Sequence, residues 1–434
     1  MRILLTAAGS YGDIAPYTGL GARLHTAGHE VTLATHRTYA PLVRAAGLHF
    51  RSLPADPRTT GPDATARTPA GHPPRASRHG QRDLMRRAAT FIRHLGDGLA
   101  DAAEATPGTE LLLLSTTTAP LGRHLAEAMD IPSLHLPLQP TAPTGDFAPV
   151  ISGGRSLGRW GNRASGHLSL RVVDRLYAGA VRDLRARLAL PPTTPRTLRR
   201  HATATGRPVL HGFSEALVPR PDDWHPDLKV VGNWWPWHAP DAQLPTHIEE
   251  FIASGPPPVF IGFGSMASGH GERLSALAER ALRRAGLRGI LQSGWARLTP
   301  PTGSAASPDL LTIDEVPHAL LFPRMSALVH HCGAGTAAAG LRAGVPTVPV
   351  PVTADQPFWA ARLASLGAAT TPLPLRSLLT GAPSDDAAVT RLAEALTQAT
   401  TTPALRVGAA RAARRMASED GGDAVLAAVA AQPS

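Results

Sequence analysis

Short apolar runs and amphipathic stretches alternate from the start of the chain. After Arg2, all positions of residues 2–8 ("RILLTAA") are apolar or small, which is typical of a buried strand. Residues 15–30 then repeat apolar positions at the spacing of one helical face, and residues 31–35 ("VTLAT") give a second buried run. A strand, a helix and a strand in this order predict a parallel sheet.

The rest of the first half extends this pattern. Residues 110–116 and 132–138 are predicted strands, and residues 83–105 place their apolar side chains on one face of a long helix. Two segments, 54–82 and 139–166, are rich in Pro, Gly and Arg and have no periodicity, so we predict loops there.

The pattern starts again after a segment rich in Pro and Trp, residues 217–245, which we predict to be an interdomain linker. Strand and helix patterns then alternate from "PPVFIGFGSM" to "VPTVPVPV". The sequence therefore predicts an α/β protein with two Rossmann-like domains, 1–216 and 246–434, which face each other across a cleft. The last helix is a candidate to pack back on the first domain.

Charge and composition narrow the possible partners. The 434 residues suffice for two domains, and 43 Lys and Arg against 33 Asp and Glu give a formal charge of +10. Lys229 is the only lysine. Such a charge could attract nucleic acid, an anionic membrane or an anionic substrate. The arginines are scattered and are not interleaved with aromatic residues, so we favour the codon usage of a GC-rich genome and expect no nucleic-acid partner.

Cysteine content and apolar run length address metals and membranes. Cys332 is the only cysteine, which excludes an internal disulfide and a multi-cysteine metal site. The chain starts on a predicted strand without a secretory pattern, and no apolar run reaches about 18 residues. We therefore expect a soluble cytoplasmic protein whose membrane contact is at most peripheral.

The Gly-rich turn "GFGSMA" (262–267) fits a dinucleotide fingerprint, G-x-G-x-x-A. That fingerprint also needs an acidic residue at the end of the next strand to hold a ribose. The next strand, "GILQSGW", has none. We therefore favour a phosphate-facing turn, in which Ser265 offers a hydroxyl, over NAD binding.

A second Gly-rich turn, "HHCGAGT" (330–336), follows another strand. A helix beginning at Thr336 would offer free N–H groups and the positive end of its dipole to a diphosphate. Equally, Thr336 could be only an N-cap and the histidines could satisfy buried polar groups. Asp355 and Gln356 favour the diphosphate interpretation. A carboxylate accepts hydrogen bonds and an amide both donates and accepts them, so the pair can hold vicinal sugar hydroxyls. Asp355 could also cap the following helix.

The N-terminal turn "GSYGDIAP" (9–16) lacks the dinucleotide spacing, and its aspartate would repel a phosphate. Two interpretations of Asp13 stay open. It could be a helix N-cap, with Pro16 in the first turn. It could also take a proton from an acceptor hydroxyl across the cleft from a sugar nucleotide.

These segments together resemble inverting glycosyltransferases of the GT-B fold, in families 1 and 28, particularly sterol glucosyltransferases and vancomycin-type antibiotic glycosyltransferases. The resemblance is carried by "AAGSYGDIAPY", "VFIGFGSM" and the run from "EVPHALLFPRM" to "RLASLGA", and more loosely by "QPTAPTGDFAPV". It implies that Asp13 is the catalytic base and that Ser10 and Gly12 lie on the acceptor side. The donor-binding residues that it implies are Ser265, Trp295, Val316, His331, Gly333, Ala334, Gly335, Thr336, Asp355 and Gln356.

The resemblance also implies the substrates. The donor would be UDP-glucose or, as second choice, a TDP-deoxysugar, and the acceptor a hydrophobic secondary metabolite or a sterol or lipid. No metal and no cofactor is expected. Cys332 and Ala354 stand where the family usually or often has glycine, and Cys332 would narrow the donor pocket. The alternatives are an epimerase-like sugar-nucleotide protein and a non-catalytic, Arg-rich surface-binding protein.

Overall fold

In the computed structural model, the described residues are 1–54, 78–153, 155–194, 197, 208–264, 270–294, 298, 308–380 and 386–432, with the backbone alone described for 78–84. They form two parallel sheets, of seven and five strands. Most of the predicted loop 54–82 lies outside the described residues.

The first sheet belongs to the N-terminal half of the chain. Its strands are β1 (Arg2–Thr6), β2 (Glu30–His36), β3 (His49–Leu53), β4 (Leu111–Leu114), β5 (Ser133–His135), β6 (Val209–His211) and β7 (Leu228–Val230). Their order in the sheet is β3-β2-β1-β4-β5-β6-β7. All four leucines of β4 are buried, because helices cover both faces of a parallel sheet.

Helices of the N-terminal half pack around this sheet. They are α1 (Tyr11–Thr26), α2 (Ala40–Ala45), α3 (Arg78–Glu104), α4 (Ala119–Met129) and α5 (Gly158–Arg187). The core on one face is formed with α1, and the core on the other face is formed with α3, α4 and α5. The second predicted loop, 139–166, is shorter than predicted, because α5 begins at Gly158, and it contains a 3-10 turn at Val150–Ser152.

The second sheet has the order β10-β9-β8-β11-β12. Its strands are β8 (Val259–Gly262), β9 (Gly289–Gln292), β10 (Leu310–Ile313), β11 (Ala327–His330) and β12 (Thr347–Pro349). The helices of this half are α6 (Thr246–Ala253), α7 (Gly271–Ala285), α8 (His318–Leu321), α9 (Ala334–Arg342), α10 (Gln356–Ser365), α11 (Leu375–Leu379), α12 (Asp386–Thr401), α13 (Pro403–Met416) and α14 (Gly421–Ala430).

The chain passes between the two halves more than once. Strand β7 lies within the predicted linker 217–245 and pairs in parallel with β6, so this part of the segment belongs to the first sheet. After α13 the chain returns, and α14 buries Val425 and Val429 in the core of the first sheet. The indole N–H of Trp234 donates to the backbone O of Gly421 at 3.0 Å, which fixes the start of α14.

The carboxyl ends of β1, β8, β11 and β12 meet near the boundary between the halves. Ligands of open parallel sheets bind at such ends. The two halves touch directly there, where the ring of Phe213 lies 6.4 Å from that of Trp359.

Candidate active site

The turn after β1 holds Asp13 at the start of α1. The helix begins at Tyr11, so Ser10 is its N-cap and Asp13 is the third helical residue. The Oδ2 atom of Asp13 accepts from the Ser10 N–H at 2.7 Å and from the Ser10 hydroxyl at 2.6 Å. Asp13 itself is therefore not the N-cap, and Pro16 lies in the second turn, because the helix begins earlier than the apolar spacing indicated. Asp13 stays exposed at this turn.

Two neighbours hold this turn in place. Gly9 has φ of +145°, and a Cβ built there would lie 2.5 Å from Asp13 Oδ2, so glycine is required. The N–H of Gly9 donates to His36 Nε2 at 3.0 Å, and His36 Nδ1 lies 2.6 Å from the Pro54 carbonyl oxygen. This pair of contacts requires the His36 tautomer with hydrogen on Nδ1. Sequence reasoning missed His36, whose only signal was its position at the end of a strand.

The N-terminus of α9 lies on the other side of the cleft. The helix begins at Ala334 with Gly333 as N-cap, so the prediction that it begins at Thr336, or that Thr336 caps it, is wrong by two or three residues. Glycine has no side chain with which to cap a helix. The N–H groups of Ala334, Gly335 and Thr336 come before the first i to i−4 bond, which Ala337 makes to Gly333, and they are free to face an anion.

The imidazole of His331 lies between two glycine turns. A Cβ on Gly264 would approach its Cε1 to 3.0 Å, and a Cβ on Gly333 would approach its Nε2 to 2.8 Å. Among the described residues its buried Nδ1 has no hydrogen-bond partner. Burial lowers the pKa of His331 to about 4, so the ring is neutral at pH 7 and carries one N–H to donate.

Two further histidines surround His331. His330 is fully buried and accepts from the Cys332 N–H at 3.1 Å through Nδ1. His318, which the sequence analysis did not single out, stacks on Phe322 with ring centres 4.2 Å apart. Burial lowers the pKa of His318 to about 4, and His331 adds to this shift. Burial lowers the pKa of His330 to about 3, so both histidines are neutral at pH 7, and His330 supports the turn through its bond with Cys332.

Asp355 and Gln356 follow β12 at the start of α10. Asp355 Oδ2 accepts from the indole N–H of Trp359 at 2.7 Å, and Asp355 is the N-cap residue but makes no side-chain capping bond. Gln356 is 4% exposed, and its Oε1 accepts from the N–H groups of Val352 at 2.8 Å and Thr353 at 3.2 Å. Gln356 can therefore only donate to a sugar, which corrects the prediction that its amide does both.

The electrostatics link Asp355 to the other side of the cleft. Burial raises the pKa of Asp355, the bond from Trp359 opposes this shift, and the negative charge of Asp13 adds to it. Asp13 and Asp355 come from different sheets, so the cleft brings two carboxylates into electrostatic range. Tyr11, at the start of α1, likewise faces Glu315, and burial and that carboxylate raise the pKa of Tyr11 to about 12.

The turns that carry the donor-side residues contain two non-glycine residues in the left-handed region. Cys332 has φ of +63° and Ala354 has φ of +55°. The side chain of Cys332 is fully buried in a core cluster with Ala337 and Phe358, and Ala354 is exposed. Because the thiol packs into the core, the expectation that it narrows the donor pocket is wrong.

The remaining predicted residues divide into two groups. Val316 borders a cavity of about 260 Å³ after β10, together with Thr312, Asp314 and Glu315. Ser265 and Trp295 lie outside the described residues. Within the described ranges, no three His, Cys, Asp or Glu side chains are grouped to hold a metal ion. In the same part of the chain, no helix is long and apolar enough to cross a membrane.

Comparison with known proteins gives two family matches. The model for the glycosyltransferase family 28 N-terminal domain matches residues 3–110, and the model for the erythromycin biosynthesis protein CIII-like C-terminal domain matches residues 300–431. The chain is 35% identical over 434 residues to the O-mycaminosyltylonolide 6-deoxyallosyltransferase of Streptomyces fradiae, with 97% of this chain and 95% of that protein covered. It is 32% identical over 396 residues to a sterol 3-beta-glucosyltransferase of Arabidopsis thaliana, covering 86% of this chain but only 58% of the plant protein.

Solved structures share the fold. A calicheamicin glycosyltransferase superposes with a TM-score of 0.68 at 19% identity, covering 99% of this chain and 98% of the other. A Streptomyces glycosyltransferase complexed with thymidine diphosphate superposes with a TM-score of 0.62 at 21% identity, covering 99% and 100%. The predicted GT-B fold, with two parallel-sheet α/β domains, is confirmed.

Proposed function

Because the chain belongs to the glycosyltransferase family that includes the Streptomyces fradiae deoxyallosyltransferase, we propose that it moves a hexose from a nucleoside diphosphate sugar to a hydroxyl of a hydrophobic small molecule. One observation carries the proposal. Asp13 is exposed and lies in electrostatic range of Asp355, which belongs to the same side of the cleft as the N-terminus of α9 and His331, whose Nδ1 has no hydrogen-bond partner among the described residues. This arrangement has a base on one side and an anion site on the other.

The donor binds through its diphosphate. The N–H groups of Ala334, Gly335 and Thr336 and the positive end of the α9 dipole hold the phosphate oxygens. His331 donates its N–H to the same group, and a bound diphosphate raises the pKa of the imidazole from its lowered value. The sugar hydroxyls bind the Nε2 amide of Gln356 and the Asp355 carboxylate.

The transfer inverts the anomeric carbon. Asp13 takes the proton of the acceptor hydroxyl while its oxygen attacks the anomeric carbon from the face opposite the diphosphate. The new glycosidic C–O bond forms as the bond from that carbon to the phosphate oxygen breaks, and the nucleoside diphosphate leaves with the electron pair. The α9 N-terminus and His331 stabilise the negative charge of the leaving group without a metal ion.

The relatives support two substrate pairs. The relative from Streptomyces fradiae is named for the transfer of 6-deoxyallose to O-mycaminosyltylonolide, and the plant relative is named for the transfer of glucose to a sterol. We therefore propose a TDP-6-deoxyhexose or UDP-glucose as donor and a macrolide-like metabolite or a sterol as acceptor. Product mass spectrometry over a panel of these donors and acceptors decides between the pairs.

Asp13→Asn tests the base. The amide keeps an oxygen that accepts from Ser10 but cannot take a proton, so we expect kcat to fall by about 10²–10⁴-fold. Thermal stabilisation by UDP or TDP stays as in the parent protein, and EDTA in the assay leaves the parent turnover unchanged. Ser10→Ala is the matched control, because it removes one donor to the same carboxylate and retains the base.

Three results would contradict the proposal. Nucleotide stabilisation lost together with turnover in Asp13→Asn would show that Asp13 only supports the fold. A loss of turnover on adding EDTA that Mg²⁺ restores would refute metal independence. An epimerised sugar nucleotide formed without acceptor would indicate the epimerase-like alternative instead of transfer.

A further inference from the structure

Helix α5 exposes an ordered apolar row on the surface of the first domain. Trp160, Ala164, Leu168 and Val172 follow one another every four residues and therefore share one helical face. Trp160 is 92% exposed, Leu168 59% and Val172 51%. Soluble monomers seldom leave such a contiguous apolar surface uncovered, so a binding partner is expected here.

A basic row lies directly beside the apolar row. The residues one position earlier in each turn are also four apart along α5; they are Arg159, Arg163, His167, Arg171 and Arg175. Asp146 pairs with Arg159 at 2.6 Å and Asp223 with Arg163 at 3.6 Å. Asp174, which is half-buried, comes between Arg171 and Arg175 in the sequence. Arg171 and Arg175 are exposed and add positive charge that these two ion pairs do not neutralise.

Helix α3 extends the same surface. It packs beside α5 and runs parallel to it, because Arg93 of α3 pairs with Asp183 of α5 at 3.8 Å, and further along Asp101 pairs with Arg187 at 2.8 Å. This register directs the earlier turns of α3 toward the exposed middle of α5. Those turns carry Met85, which is 48% exposed, followed by two arginines.

The surface begins at the edge of the cleft. Asp146, whose carboxylate binds Arg159, is followed in the chain by Phe147. The ring centre of Phe147 lies 5.3 Å from the ring centre of Phe358. Phe358 belongs to α10, two residues beyond Gln356. The loop that precedes the Trp160 end of the apolar row therefore packs against α10, the helix that begins at Gln356.

We propose that this α3–α5 face, with apolar and basic rows side by side, docks on an anionic lipid bilayer. Aromatic and aliphatic side chains insert at the level of the headgroups, and the arginines pair with lipid phosphates. An acceptor dissolved in the bilayer would then reach the cleft at the edge where the face begins; this last step rests on the proposed function.

Vesicle flotation tests the docking directly. We expect the protein to float with vesicles of phosphatidylcholine and phosphatidylglycerol, to remain behind with pure phosphatidylcholine, and to be released by 0.5 M NaCl. Removing two arginines with R171Q/R175Q weakens vesicle binding about 30-fold, since each contributes about 1 kcal/mol near an anionic surface. Trp160→Ser weakens it about tenfold through lost apolar burial.

The control variants make the same changes elsewhere. Arg406, Val407 and Arg411 lie on the exposed face of α13 in the second domain. The variants Val407→Ser and R406Q/R411Q should therefore leave vesicle binding unchanged. The docking proposal is overturned if anionic vesicles do not bind, or if α13 and α5 variants lose binding equally. It is also overturned if the α5 variants instead dissociate a dimer in analytical ultracentrifugation. Thermal stabilisation by TDP or UDP, measured on every variant, reports on the donor site separately.

Discussion

Ala354 and Cys332 share a left-handed backbone conformation, yet replacement by glycine should change stability in opposite directions. An L-residue in this region costs about 1–2 kcal/mol relative to the right-handed region, and glycine avoids this cost. Glycine also has more freedom in the unfolded chain, which costs about 0.4–1 kcal/mol. The left-handed backbone cost exceeds the unfolded-state cost of glycine by about 0.8 kcal/mol, so glycine is favoured by that amount where the side chain makes no other contribution.

At Ala354 only the backbone contributes, because the methyl group is exposed. Ala354→Gly should therefore stabilise the protein by about 0.8 kcal/mol. For a domain of this size that corresponds to a rise in Tm of about 2–3 °C. The turn also precedes Asp355, so relief of strain there is expected to leave the position of the carboxylate unchanged.

At Cys332 the buried side chain contributes as well. Its CH₂–SH group is fully buried, and Sγ lies 3.6 Å from the His330 carbonyl oxygen. Deleting this group removes apolar burial and leaves a cavity, at a cost of about 2 kcal/mol. The net backbone benefit of about 0.8 kcal/mol offsets less than half of this cost, so Cys332→Gly should destabilise the protein by about 1 kcal/mol.

Thermal unfolding of both variants measures whether each substitution raises or lowers the stability of the protein. Ala178→Gly is the matched control, since Ala178 is exposed in the interior of α5, where glycine should cost about 1 kcal/mol. If Ala354→Gly lowers Tm as Ala178→Gly does, or if Cys332→Gly raises it, the assignment of strain at Ala354 and of packing at Cys332 is refuted.

Two further substitutions test the donor side. Gly333→Ala should weaken TDP or UDP binding about tenfold in calorimetry, since the new Cβ would lie 2.8 Å from His331 Nε2. The control is Gly335→Ala, because a Cβ there meets nothing within 4 Å. Equal losses of affinity in the two variants would contradict the role of His331. Trp359→Phe removes the N–H that binds Asp355, so KM for the sugar nucleotide should rise about tenfold while affinity for the free nucleotide stays constant. A parallel loss of affinity for the free nucleotide would show that Asp355 does not act on the sugar.

The sequence predicted the strands that lie in apolar runs and missed strands that have no such run, such as β3 and β7. The run 2–8 predicts β1 because every position after Arg2 is buried and apolar or small. In β3, "HFRSL", only Leu53 is buried, so a polar sequence pairs at the sheet edge without an apolar signal. Strand β7 has three residues inside a Pro- and Trp-rich segment, and only its pairing with β6 defines it.

Candidate residues were found where a strand ends in a turn of small residues. What could not be predicted is which neighbour binds each side chain, whether that neighbour is a few residues away or distant in sequence. Gln356 Oε1 is bound by nearby backbone, Asp355 by Trp359, and the turn of Asp13 by His36. These hydrogen bonds depend on side-chain orientation, which the spacing of apolar residues does not determine.

The return of α14 to the first domain changes how the protein can be divided. Val425 and Val429 complete the core of the first sheet, and Arg23 of α1 binds Asp420 and Asp423 around the start of the helix. A single cut in the segment that joins the sheets would leave this helix with the wrong half. An independent first domain would need residues 421–430 supplied as a separate peptide or by circular permutation of the chain.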